Sequence, residues 1–180
     1  MDRSTDSTGE IIEQTLTAQR SAIDGLKNGQ TIEEIFSAAQ VIDDADGQVV
    51  FAGVGKSGDV AKKITATFNS IGVSSNFLHP VEALHGDLGV VSEEDVIILI
   101  SNSGNTDEMV ELLQVLSVFD PTTISITSDS NSKLGTKADY HIDTLVETEG
   151  SVVDLVPMAS ATVTMVVGDC IANALMHPQN

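Results

Sequence analysis

Tryptophan is absent from this 180-residue chain, tyrosine occurs once and phenylalanine five times, so any core must be built from aliphatic side chains and alanine. Lysine and arginine number 8 against 27 aspartates and glutamates, a formal net charge of −19 with a sequence pI near 4.1. That shortage of positive charge excludes a protein that coats nucleic acid or an anionic membrane. The single cysteine, Cys170, has no intrachain disulfide partner. The opening MDRSTDSTGE lacks the basic and apolar regions of a secretory signal, so a cytoplasmic location is expected. The uncharged stretch from Leu155 to Gly168, bounded by Asp154 and Asp169, is shorter than the roughly 18–20 residues of a membrane span, and a buried helix is expected there.

What is present describes a folded domain. Hydrophobic residues make up 41% of the chain and mean hydropathy is +0.12, the opposite of a disordered composition. The length suits one domain. Abundant acidic residues, Ser and Thr beside few lysines point to a concentrated-salt cytoplasm. Residues 1–8 are polar and expected to fray, and residues 9–45 read as two helices. The first has Ile12, Leu16, Ile23 and Leu26 on its buried stripe. The second is expected to start at an N-cap Thr31 paired with Glu34 in a capping box.

From 47 to 176 the pattern alternates. Apolar runs at Val49–Ala52, Val73–Leu78, Val96–Ile100, Thr122–Thr127 and Asp139–Ile142 read as strands. Helical patterns at Asp59–Ser70, Thr106–Val118, Ser132–Thr136 and Pro157–Met176 lie between and after them, the last with proline in its first turn. Continuous apolar strands alternating with helices predict a doubly wound α/β sandwich around a parallel sheet.

Ligands in such sheets bind beyond the carboxyl ends of the strands, and two turns there are unusual. The first, FAGVGKSG (Phe51–Gly58), matches a dinucleotide glycine pattern only formally, because no acidic residue closes the second strand. It also fails as a P-loop, since its first glycine is too close to Lys56 and Ser57. What survives is a glycine-rich turn with Gly55, Ser57 and Gly58 at a helix N-terminus suited to an anion. Lys56 opposes the helix macrodipole there unless an anion is bound. Lys62 and Lys63 read as a solvated helix face. The second turn, Ser101, Asn102, Ser103, Gly104, Asn105 and Thr106, sets three hydroxyls around a glycine, more than the N-cap that Thr106 alone would supply.

GVGKSG, HPVEALHGDLG (His79–Gly89) and SNSGNT, in this order, resemble the sugar isomerase (SIS) domain family, and within it the arabinose-5-phosphate isomerase branch, from about Gly47 to Met176. The resemblance implies a three-layer sandwich with a five-stranded parallel sheet in flavodoxin-like order, and assembly into a homo-tetramer or dimer whose sites are completed by neighbouring subunits. It implies a phosphorylated sugar as ligand. By the same resemblance Ser57, Ser101, Ser103 and Thr106 grip the phosphate, Lys56 acts on the sugar oxygens, and His85 is the histidine of HGDLG. Glu149 matches a glutamate ahead of an L-x-P segment, here Leu155–Pro157.

Aldose–ketose isomerisation needs a base to move a proton between C1 and C2 and a cation or donor to steady the enediol oxygen. Glu149, Lys56 and His85, the last for ring opening, make that set, with no cofactor and no metal expected. The chain departs from the family in carrying Asn105 where glutamate is common and in lacking the downstream histidine segment and paired CBS modules. Its compact length is similar to the 6-phospho-3-hexuloisomerase branch, which lacks HGDLG. That isomerase and a non-catalytic phosphosugar sensor are therefore alternative expectations.

Overall fold

Five apolar runs form one sheet: β1 (Val49–Gly53), β2 (Ser75–Leu78), β3 (Val96–Ile100), β4 (Thr122–Thr127) and β5 (Tyr140–Asp143). The computed structural model describes residues 3–153 and 156–177. Every strand pair is parallel, and the order is β2-β1-β3-β4-β5. All five residues of both β1 and β3 are buried, as expected of central strands covered on both faces.

The period-2 alternation of side chains splits the core into two layers. Val49 and Phe51 of β1, with Ile98, Ile100, Ile124 and Ile126, face α1 (Arg3–Gly25), α2 (Gly29–Asp43), α3 (Gly55–Ser70) and α7 (Ala159–Leu175). Val50 and Ala52, with Ile97 and Leu99, face α4 (Pro80–Leu84), α5 (Asp107–Leu116) and α6 (Lys133–Lys137). With so few aromatics, one edge-to-face pair, Phe51 on Phe68 at 5.0 Å, sits in the first layer and aliphatic packing fills the rest. Helix α7 presents Val163, Val167 and Ile171 to this layer and packs against α1, α2 and α3. Among the described residues no helix is long and apolar enough to cross a membrane.

Several boundaries differ from the sequence expectation. Helix α1 begins at Arg3, well before Gly9. The N-cap of α2 is Asn28, whose side chain accepts from the Thr31 N–H at 2.9 Å. Thr31 and Glu34 instead tie α2 to the edge strand. The Thr31 hydroxyl donates to the Asp143 carbonyl at 3.3 Å, and the Glu34 carboxylate accepts the Asp143 N–H at 2.9 Å. Strand β2 starts at Ser75 because Asn69 holds both the N–H and the carbonyl of that residue, keeping Val73 and Ser74 in the turn after α3. Pro157 precedes the Met158 cap of α7 and stands outside the helix; Leu155 lies outside the described residues. HPVEALHGDLG folds as α4 followed by a 3-10 turn at Asp87–Val90.

Candidate functional site

The connections leaving β1 and β3 run to opposite faces of the sheet, which opens a crevice between the carboxyl ends of these strands. On one side, Val54 takes an extended conformation as the N-cap of α3, and Gly55, the first residue of the helix, a left-handed φ of 57°. A side chain at Gly55 would meet no neighbour, so the backbone angle alone calls for glycine there. A Cβ on Gly58 would lie 2.7 Å from the Gly53 carbonyl oxygen, so the first turn of α3 is held close to the end of β1. The Gly58 N–H bonds back to the Val54 carbonyl at 3.3 Å, and the N–H groups before it are those a helix leaves without an intrahelical partner at its positive end.

On the other side is the serine turn. Ser101 is 3% exposed, and its hydroxyl pairs with that of Thr106 at 3.0 Å. Thr106 stands at the N-cap of α5 without capping it through its side chain, so the hydroxyl serves the turn instead. Gly104 is left-handed (φ 62), and a Cβ there would run into the Ser132 side chain. The turn is moored to the β4–α6 connection. The Asn102 carbonyl accepts from the Ser128 N–H and hydroxyl at 2.9 and 2.8 Å, and the Gly104 carbonyl accepts from the Leu134 N–H at 3.0 Å. Ser128 and Ser132 were not singled out in the sequence, although the polar run after β4 was a signal for a third turn at this end of the sheet.

Glu149 closes the cleft. Its Oε2 accepts from the N–H groups of Met158 at 2.7 Å and Ser160 at 3.0 Å, so the carboxylate caps α7 and is fixed in direction by it. An open cleft of about 460 Å³ results, lined by Val54, Lys56, Ser57, Ser101, Asn102, Ser103, Thr106, Glu149 and Pro157. Lys56, with its side chain 70% exposed, bears the only positive charge among these residues and lies 3.3 Å from the Asp59 carboxylate.

The structure therefore brings together Lys56, Ser57, Ser101, Asn102, Ser103, Thr106 and Glu149, while Gly55, Gly58 and Gly104 shape the backbone without lining the cleft. His85 caps the C-terminus of α4, is exposed, and is not among the lining residues. The other lysines of α3 turn elsewhere: Lys62 lies 4.8 Å over the Phe77 ring and Lys63 pairs with Asp169. A larger hollow of about 930 Å³ between α1 and residues 147–151 carries Glu10, Glu13 and Glu147 and no basic residue, a poor match for an anionic ligand. Among the described residues no three His, Cys, Asp or Glu side chains are grouped to hold a metal ion.

Comparison with known proteins identifies the family and its fold. The SIS domain family model matches residues 42–174. Arabinose 5-phosphate isomerase KdsD of Pseudomonas aeruginosa is 40% identical over 165 residues, covering 92% of this chain and 50% of that protein. Arabinose 5-phosphate isomerase KpsF of Escherichia coli is 39% identical over 166 residues, covering 92% and 51%. The chain thus spans about half the length of the curated relatives it matches. A solved structure of an Escherichia coli CFT073 protein in complex with arabinose 5-phosphate superposes with a TM-score of 0.89 at 37% identity, covering 98% of this chain and 92% of that one. On the family match, the sequence identity and the shared fold together, the chain belongs to the SIS domain family.

Proposed function

We propose that this chain is a sugar-phosphate isomerase that interconverts arabinose 5-phosphate and ribulose 5-phosphate. The observation that carries the reading is one cleft at the switch point of the sheet holding a moored hydroxyl turn, one lysine and one oriented carboxylate. Relatives about 40% identical bear the name of that activity. In this reading the phosphate sits between the serine turn and the first turn of α3, gripped by the hydroxyls of Ser57, Ser101, Ser103 and Thr106 and by unpaired N–H groups. The sugar then extends toward Lys56 and Glu149.

The Glu149 carboxylate takes the proton from C2 of the open-chain aldose. The C2–H electron pair becomes the C1=C2 bond of an enediol as O1 takes a proton from the Lys56 ammonium. The O2 proton then passes to the Lys56 amine, restoring a carbonyl at C2 and the ammonium, and Glu149 returns its proton to C1. Lys56 steadies the oxygen on which negative charge grows, and its reach to Asp59 is the contact that substrate displaces. His85, outside its own chain's cleft, serves ring opening in a neighbouring subunit's site, which makes the working form a homo-oligomer. Neither cofactor nor metal enters these steps, and the acidic shell suits a cytoplasm rich in salt.

The test is a coupled assay on a panel of pentose and hexose phosphates, including arabinose 5-phosphate and the hexulose 6-phosphate/fructose 6-phosphate pair, in molar salt. Arabinose 5-phosphate turns over, and Lys56→Ala and Glu149→Gln each lose about 10²–10⁴-fold in kcat while remaining folded. Turnover of only the hexulose pair would replace the substrate. Thermal stabilisation by several phosphosugars with no turnover would make the chain a sensor, and wild-type rates in both variants would overturn the assigned roles.

A further inference from the structure

Asn105 sits in the serine turn but does not line the cleft, and both ends of its side chain are committed to backbone. Its Oδ1 accepts from the Lys133 N–H at 3.1 Å, and its Nδ2 donates to the Ser103 carbonyl at 3.0 Å. Its own N–H donates to the Ser103 hydroxyl at 3.3 Å. Ser103 is exposed and contributes to the cleft wall, whereas Lys133 opens α6 on the far side of the turn.

We propose that Asn105 is a positioning residue for phosphate, fastening the Ser103 side of the turn to the start of α6. The assignment rests on the phosphosugar reading of the cleft. An amide is the group the geometry requires, since one end must accept and the other must donate. A carboxylate of the same size keeps the Lys133 bond, but it cannot donate to the Ser103 carbonyl and sets a negative charge beside the bound phosphate. The Ser101–Thr106 pair and the Asn102 and Gly104 moorings hold the rest of the turn without it. Loss of Asn105 therefore loosens Ser103 and its oxygens rather than unfolding the loop. The reacting carbons of the sugar lie toward Lys56 and Glu149, so the effect falls on phosphate affinity and not on proton transfer.

Lys133 gives an independent handle. It is the first residue of α6, where proline is tolerated, and Ser132 before it is already extended (φ −65, ψ 166), as a residue ahead of proline must be. Lys133→Pro thus replaces the N–H that Asn105 accepts with a ring carbon and leaves every residue of the cleft in place. Lys133→Ala controls for the lost charge.

The experiment measures kcat and KM for arabinose 5-phosphate, the dissociation constant of inorganic phosphate by calorimetry in molar salt, and the melting temperature. Asn105→Ala raises both KM and the phosphate dissociation constant by about tenfold, the size of one or two hydrogen bonds, with kcat within about twofold. Asn105→Asp raises them further, and Lys133→Pro reproduces part of the rise that Lys133→Ala does not. If the Asn105 variants do not fold, Lys133→Pro decides. The proposal is overturned if kcat falls while KM and phosphate affinity hold, if neither moves, or if Lys133→Pro binds phosphate like the wild type. A wild type that binds phosphate but isomerises no sugar phosphate defeats the isomerase reading alone, with the phosphate constants still deciding on Asn105. A wild type that binds neither phosphate nor arabinose 5-phosphate defeats both.

Discussion

Glu149 caps α7 and is the base of the proposed mechanism, and the two roles can be separated. As the cap of α7 its Oε2 holds two backbone N–H groups, bonds that the carbonyl oxygen of glutamine also accepts, short only of the few tenths of a kcal/mol that the charge adds at a helix N-terminus. Glu149→Gln is therefore expected to melt with the wild type. Glu149→Ala strands both donors, costs roughly 1–2 kcal/mol and lowers the melting temperature by a few degrees in a scan. Equal melting of the two variants would refute the cap. The glycines divide in the same way. Gly55→Ala meets only an unfavourable backbone angle, about 1 kcal/mol, while Gly104→Ala also strikes Ser132 and is expected to cost at least about twice as much by denaturant titration. A Gly104→Ala variant as stable as Gly55→Ala would mean that Ser132 yields. Lys56 and the hydroxyl turn stood out because their types clash with local needs, a lysine against a helix dipole and more hydroxyls than a cap uses, whereas Glu149 and His85 were named only by the family resemblance. The mooring of Asn105 was not legible, because its partner lies 28 residues away.

At the level of elements, α3 and α7 meet through Gly168, where a Cβ would come within 2.6–2.8 Å of three carbons of the fully buried Ile64. Gly168→Ala therefore overpacks the layer beneath the cleft and is expected to cost about 1–3 kcal/mol, and Ile64→Val in the same chain recovers part of it. Additive losses in the double variant would show that the two residues do not compete for space. The Thr31–Glu34 spacing shows the reverse limit. It has the form of a capping box, yet Asn28 caps the helix and the pair bonds to β5 instead. A local pattern names groups able to make a bond, and the packing of α2 on the edge strand selects which bond they make. Pro157 follows the same rule: its position suited a first turn, but Glu149 starts α7 later and leaves the proline on the cleft wall.

For the whole molecule, charge is the deciding quantity. The formal charge is −19, and the four ion pairs among the described residues are between exposed partners, so most carboxylates have no cation to offset them. At about 1 M salt the Debye length is about 3 Å and their mutual repulsion is screened, whereas at about 0.05 M it exceeds 10 Å. Melting temperature and arabinose 5-phosphate turnover are both expected to fall on dilution into low salt; unchanged values at about 0.05 M would refute the salt adaptation. An anionic substrate meets the same field, which the N-terminus of α3 and Lys56 weaken locally against Asp59, Asp107, Glu108 and Glu149.

Periodicity and composition were enough for the α/β class, for the approximate places of the five strands and for singling out two unusual turns at the carboxyl ends of β1 and β3, because hydrophobic spacing and glycine, serine and lysine chemistry are local properties of the chain. The strand order was expected from the family resemblance, whereas the capping of α7 by the Glu149 carboxylate, the turning of Lys62 and Lys63 away to Phe77 and Asp169, and the fastening of the serine turn to α6 came only with the fold. Each is a contact between segments far apart in sequence, and such contacts are chosen by how the layers pack and where the left-over hydrogen-bonding groups can be satisfied.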